Sequence, residues 1–267
     1  MSATSLFYVY AVAHNSTGLA KGLNAVAGVV GAPVRLVAPS PAAELVAVAS
    51  PVPEDDFREA ALHTHLEDIE WLEALARAHH GVIEALTART TVLPLRLATV
   101  YLDEDRVRSM LHDRYALFLR RLQDLDGTVE LGIKLYVDLA SAVPPPATTF
   151  PDPALGPGRA YLRRRRREQH SRNDAHHAAA QAAERIAESA RTHAVGHARH
   201  RIQNGELATG PGENVSNDAY LVPVGHAQAF RDEAIHCTDG LTGVRVDVTG
   251  PWAPYSFAVP ADSDGPS

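Results

Sequence analysis

The run Leu6–Ala13, LFYVYAVA, constrains the fold of this chain more than any other segment. It is β-branched and aromatic, and its apolar residues are continuous rather than alternating. A strand with that pattern is buried on both faces. The chain must therefore supply enough apolar material to enclose it. Hydrophobic residues make up 45% and charged residues 21% of the 267 positions, a globular mixture that excludes a wholly disordered chain. At about 150 residues per domain, this length fits one large domain or two small ones.

Turn chemistry at His14, Asn15 and Gly18 follows the first strand. A short helix is expected over Leu19–Val29. Two strands, Val34–Ala38 and Glu44–Ala49, flank a turn held open by Pro39 and Pro41 and read as a hairpin. Glu54–Leu62 reads as a helix whose acidic first turn suits the helix dipole. His65–Leu86 is an amphipathic helix. Ile69, Leu72, Leu75, Ala76, His79, Val82, Ile83 and Leu86 recur at three- and four-residue steps and share one face. TVLPLRLATVYL (91–102) is strand-like but interrupted by Pro94, so it reads as an edge strand or extended segment. Asp103–Leu122 is a further helix, with Val107, Met110, Leu111, Tyr115, Phe118 and Leu122 as its stripe.

Asp126-Gly127 marks a turn. Thr128–Leu139 alternates, with Val129, Leu131, Ile133, Leu135 and Val137 on one face and a solvated face opposite. Ser141–Gly158 is a loop rich in proline and glycine. Arg159 to about Gln203 reads as one long helix with a seam of Ala179, Ala183, Ile186, Ala190, Ala194 and His197, small enough to admit a close partner. Tyr220–Val224 is a strand, His226–His236 a helix, and Gly243–Val248 a strand, with room for one more strand near Gly212–Ser216. This order resembles a split β-α-β, ferredoxin-like arrangement. The expected class is α+β in two domains, with a polar, disordered tail over 261–267.

A net charge of −7 argues against a dedicated nucleic-acid binder. The single cysteine, Cys237, forbids an intrachain disulfide and fits a reducing compartment. No charged leader precedes Leu6–Ala13, and no run is long enough to span a bilayer, so a cytoplasmic location is expected.

The loudest local feature is Arg163–Arg167. It reads either as a basic patch for an acidic ligand or nucleic acid, or as a solvated first helical turn whose five side chains point all round the axis. His193, His197 and His200 fall at helical steps that suit a metal, but nothing between them supplies the acid of an H-E-x-x-H motif. Cys237 beside His236 is no dyad without spatial placement. The carboxylate clusters at Glu54–Asp56 and Asp103–Asp105 sit at helix starts, where the dipole accounts for them. No G-x-S-x-G, P-loop or G-x-G-x-x-G is present. The expectation is therefore no catalytic residue, metal, cofactor or small-molecule substrate.

Two segments stand out. In TVLPLRLATVY (91–101) a proline and an arginine interrupt an apolar stretch. In GPWAPYSF (250–257) prolines hold three aromatics rigid beside a strand end, either closing a core or presenting a docking surface.

These segments resemble the gas vesicle protein F/L family. The matching pieces run in family order: FYVYAV near the start, HHGVIEAL (79–86) leading into TVLPLRLATVY, VELGIKLYVD (129–138), GRAYLRRR (158–165), DAYLVPV (218–224) and the ending VDVTGPWAPYSF. Family members commonly carry an R-F-G-type triplet after the proline. Here it reads Arg96, Leu97, Ala98, which loses glycine's backbone freedom. The resemblance implies two α+β domains, 1–126 and 127–260, with the boundary at Asp126-Gly127 rather than at the proline-rich loop that composition first suggests, the second a modified ferredoxin-like fold with a long helix. It also implies a minor, non-enzymatic accessory component of gas vesicle assembly, found in the cytoplasm and at the vesicle. Its expected partners are the small hydrophobic shell protein, whose assembly it would help nucleate, and other accessory proteins. No membrane or nucleic acid partner is expected. Candidate partner-binding residues are Trp252, Tyr255, Phe257, Arg96, Arg163 and Arg164, and the small-residue helix seam is a further candidate surface.

Overall fold

A computed structural model describes residues 5–138, 157–202 and 212–258. The chain forms two compact units. The first runs to Thr128 and resumes at Trp252, and the second spans Val129–Pro251. The expected second domain, 127–260, is thus corrected at its end: the chain from Trp252 onward belongs to the first unit. The cause is packing, since Ala253 is buried in the first unit's core and Tyr255 packs against it.

In the first unit, β1 (Ser5–His14) is the central strand. It pairs antiparallel with β3 (Leu45–Pro53), which in turn pairs with β2 (Arg35–Val37). On its other side β1 pairs with β4 (Val92–Pro94) and then with β5 (Val100–Tyr101). Leu6 through Ala13 are all buried. A bulge at Val9/Ala11 shifts the alternation by one residue. Leu6, Tyr8 and Tyr10 before it, and Ala11 and Ala13 after it, consequently join the same core cluster.

That cluster is closed by α4 (Ile69–Thr87), which contributes Leu75, Val82, Ile83 and Leu86. The expected helix over 65–86 begins later because Asp68 caps it, accepting from the backbone N–H groups of Glu70 and Trp71 at 2.9 and 3.3 Å. Three other expected helices are shorter or divided. Between β1 and β2 only α1 (Leu19–Leu23) is helical. The 54–62 segment becomes α2 (Glu54–Phe57) and α3 (Glu59–His65), separated by an extended Arg58. The 103–122 segment becomes α5 (Glu104–Asp113) and α6 (Tyr115–Leu125), separated at Arg114. The buried Val107, Leu111, Phe118 and Leu122 of these two helices cover β1, β3 and β4.

The second unit runs β6 (Thr128–Val137), α7 (Pro157–His193), β7 (Gly196–Arg199), β8 (Glu213–Pro223), α8 (Val224–Ile235) and β9 (Val244–Trp252). Its sheet order is β7-β8-β6-β9. The single strand β8 joins the two expected strands, 212–216 and 220–224, except that Gly212 lies before it and Val224 begins α8. The long helix stops at His193, ten residues short of expectation, and Gly196–Arg199 pairs antiparallel with β8 from Gly196↔Leu221 to Arg199↔Asp218. Backbone pairing with a buried strand outweighs helix propensity here, and Gly196 weakens the helical alternative.

Leu131, Ile133 and Leu135 of β6 meet Ala182, Ile186, Val222 and Phe230. Ala183, Ala190 and Ala194 pack against the same cluster. The small-residue seam is therefore consumed inside its own unit rather than offered to a partner. The opposite face of β6 is not simply solvated. Glu130 and Tyr136 are buried there, and the Arg245 guanidinium lies 4.1 Å from the centre of the Tyr136 ring. The expected 141–158 loop lies mainly, and the 261–267 tail wholly, outside the described residues. No described helix is long and apolar enough to cross a membrane.

Candidate protein-docking cleft

The helical period of α4 directs His79 into the core with Leu75, Val82 and Ile83. It is only 3% exposed. Its Nδ1 lies 2.9 Å from the Tyr8 hydroxyl, which also accepts from the Ala98 backbone N–H at 3.1 Å. Pointing the hydroxyl proton at Nδ1 satisfies both groups, and on that assignment the imidazole hydrogen sits on Nε2. Burial, followed by the neighbouring His80, holds His79 down at about 4, so the ring is neutral at pH 7. Burial pushes the Tyr8 phenol above its ordinary range. A second tyrosine completes the floor. The Tyr10 hydroxyl donates to Ser50 Oγ and accepts from the Val29 N–H, each at 2.9 Å. The ring centres of Tyr8 and Tyr10 are 4.9 Å apart, and Tyr10 lies 5.6 Å from His79.

Above this floor the chain between β4 and β5 leaves the sheet. Leu95 N–H still reaches the Tyr10 carbonyl at 2.8 Å, and Val9 N–H reaches Thr99 at 2.9 Å. Between those anchors Arg96 and Leu97 are exposed and Ala98 adopts a φ of 63°. The C-terminal segment closes the other side. Its Tyr255 hydroxyl is 3.4 Å from His80 Nδ1, and Trp252 meets the His80 ring edge-on at 5.2 Å. The open cleft has a volume of about 410 Å³ and is lined by Ala76, His79, His80, Tyr255 and the stretch Pro94–Leu97.

Of the residues expected to bind a partner, Arg96 and Tyr255 line this cleft, and Trp252, 41% exposed, packs against its wall. Phe257 is half-buried in the final turn and does not line it. Arg163 is exposed on α7 in the second unit, as are Arg165, Arg166 and Arg167, while the Arg164 side chain lies outside the described residues. The ending GPWAPYSF both closes a core, through Ala253, and exposes an aromatic surface, through Trp252.

The three histidines of the supposed helix face are dispersed, because the helix ends at the first of them. His193 pairs with Glu233 at 3.1 Å, while His197 lies on β7, pairs with Asp218 at 2.7 Å and stacks on Tyr220. No group of three or more histidine, cysteine, aspartate or glutamate side chains among the described residues suits a metal ion. Burial pushes the Cys237 thiol up to about 11, which disfavours the reactive thiolate.

The pairing of Tyr8 with His79 was missed from the sequence, although each residue was placed in a buried element. The usable signal was a histidine on an otherwise apolar stripe. A buried imidazole needs a partner, and the central strand carries two tyrosines.

Comparison with known proteins bears on this geometry. Residues 6–259 match the family model described as gas vesicle synthesis protein GvpL/GvpF. Gas vesicle protein L of Streptomyces sp. (strain CB03234) is 42% identical over 267 residues, covering 99% of this chain and 97% of that protein. The crystal structure of the gas vesicle protein GvpF from Anabaena sp. PCC7120 shares the fold, with a TM-score of 0.63 at 15% identity, covering 98% of this chain and 100% of that one. The GvpF structure from Microcystis aeruginosa gives 0.62 at 16% identity, covering 96% and 99%. With residues 6–259 matched by one family model and a 42% identical relative covered over 97% of its length, this chain belongs to the gas vesicle GvpL/GvpF family.

Proposed function

We propose that this protein is a non-enzymatic accessory component of gas vesicle assembly that binds the small hydrophobic shell protein and helps nucleate vesicle formation. Its place would be the cytoplasm and the growing vesicle, where it would also meet other accessory proteins. Family membership supports a role in gas vesicle formation. One observation supports docking: the helix 79–86, the 91–101 stretch and the C-terminal aromatic segment, far apart in sequence, meet at one cleft. A shell protein with a strongly apolar face aggregates unless that face is covered before polymerisation. Arg96, Tyr255 and Trp252 offer the mixed apolar and cationic surface that interfaces favour. Phe257 would support the aromatic segment from behind. We also read the second unit as a modified ferredoxin-like fold, a reading supported by its β-α-β-β-α-β order and its β7-β8-β6-β9 arrangement.

Co-purification of the full-length chain with its shell protein tests the reading. The two should co-elute, and Trp252→Ala combined with Tyr255→Ala should abolish that while leaving the protein folded. Absence of binding above background, with both partners soluble, would sink it.

A further inference from the structure

The first turns of α7 stand apart from the core of their own unit. From Tyr161 to Asp174 every described side chain except Ser171 is exposed, and burial begins only at Ala175. At 1.5 Å per residue this is an arm about 20 Å long. Six arginines and one glutamate fall within 161–172, a net charge of +5. That charge does not serve the helix itself. Arg163 and Arg167 stand one turn apart, where like charges repel, and positive charge near a helix N-terminus opposes the dipole. The tip of the arm adds two exposed apolar side chains, Tyr161 and Leu162.

A complementary surface lies in the first unit. Helices α2 and α3 and the start of α4 carry eight carboxylates and two arginines over 54–77, a net charge of −6. Glu54, Asp55, Glu59, Glu67, Glu70 and Glu73 are exposed on this strip. Arg77 offsets Glu73 at 3.0 Å, and the strip stays acidic overall. In its midst Ile69 is 80% exposed.

We propose that the arginine arm of one copy docks on the acidic strip of a second copy, with the apolar tip of the arm against Ile69. Opposite charge, joined to exposed apolar side chains, on two surfaces of one sequence specifies the second copy as occupant. Consecutive arginines point all round the helix axis, so the docked face is basic whatever its rotation. The net charge of −7 on each copy opposes association only weakly, because at ~0.15 M salt the screening length is about 8 Å and apposed charges dominate. The same acidic strip repels nucleic acid from the chain. The inference is independent of the shell-protein reading, since it concerns the chain alone.

Sedimentation velocity of the full-length chain at ~0.15 M and ~0.5 M salt tests it. The weight-average sedimentation coefficient should rise with protein concentration at the lower salt and stay constant at the higher. Reversing the arm (Arg163→Glu, Arg165→Glu, Arg166→Glu) or the strip (Glu59→Lys, Glu67→Lys, Glu70→Lys) should each weaken self-association by about tenfold. Mixed in equal amounts, the two variants should associate again, because each arm then meets a strip of opposite charge. That recovery also shows that both variants are folded. A parent whose sedimentation is independent of concentration overturns the inference, and so does a mixture that stays dissociated. Binding of a DNA duplex that the arm reversal abolishes, with no self-association of the parent, assigns the arm to nucleic acid instead.

Discussion

The Tyr8 hydroxyl lies 2.9 Å from His79 Nδ1, joining the central strand of the first unit to the helix that covers it across 71 residues of chain. The same oxygen accepts the Ala98 N–H, so one hydroxyl ties together the strand, the helix and the loop that carries Arg96. Two sides of the candidate cleft, the helix and the loop, are thus held to the strand beneath them by a single atom.

Removing that atom should be costly. Tyr8→Phe leaves the buried His79 acceptor and the half-buried Ala98 donor without these partners. A loss of about 2 kcal/mol is expected from the desolvation penalty of orphaned groups. Urea unfolding of the two proteins measures it, and a loss near zero would mean that water replaces the hydroxyl.

The buried imidazole makes stability depend on pH. His79 titrates at about 4 in the folded protein, against 6.5 ordinarily. Between those values the unfolded chain binds the proton and the folded chain does not. The contribution is therefore complete above pH 6.5 and is lost as pH falls toward 4, by up to ~3 kcal/mol. The groups facing the ring are Tyr8, Tyr10, Tyr255 and His80. Urea midpoints measured from pH 4 to 7 should fall less steeply for His79→Gln than for the parent. Parallel slopes would assign the dependence elsewhere.

Ala98 sits at φ 63°, a conformation that L side chains adopt at a cost. Relatives commonly carry glycine at this place in the triplet, as the resemblance above implies. Ala98→Gly should stabilise the protein by about 0.5 kcal/mol, the relief of the left-handed strain less glycine's greater unfolded-state entropy. Thermal unfolding of the purified variant reads the sign directly.

Gly28 is constrained by space rather than by its dihedrals, φ −78° and ψ −170°. A Cβ there would collide with Tyr10 Oη and Ser50 Oγ and lie 2.9 Å from the Ala32 carbonyl. Gly28→Ala should displace the Tyr10 hydroxyl from Ser50 and Val29 and cost about 1–3 kcal/mol. A denaturation midpoint equal to the parent's would show that the loop yields freely.

Much of the fold was legible because its signals are local. The continuous apolar run at Leu6–Ala13, the three-and-four spacing in 65–86 and the alternation of Leu131, Ile133 and Leu135 each act within a few residues, through side-chain period and backbone geometry. Short-range breaks were harder to read. Arg58 and Arg114 interrupt helices without a proline or glycine, so neither residue carries a local signal of the break. At the candidate cleft, Arg96, Trp252 and Tyr255 were named through the family resemblance, while Arg163 and Arg164 were named from a charge run that lies in the other unit.

By itself, then, the sequence determined that this chain builds α+β units around a strand buried on both faces, and it held the ordered motifs of its family. Only the tertiary structure decided three further things. A bulge in β1 turns Tyr8 and Tyr10 to the same side as Ala11 and Ala13. The chain after Trp252 returns to the first unit. The long helix ends at His193 so that Gly196–Arg199 can join a sheet edge. Periodicity and caps are written in neighbouring residues. Which distant groups meet depends on burying apolar surface while leaving few polar groups unpaired, and that condition is satisfied by the whole chain at once.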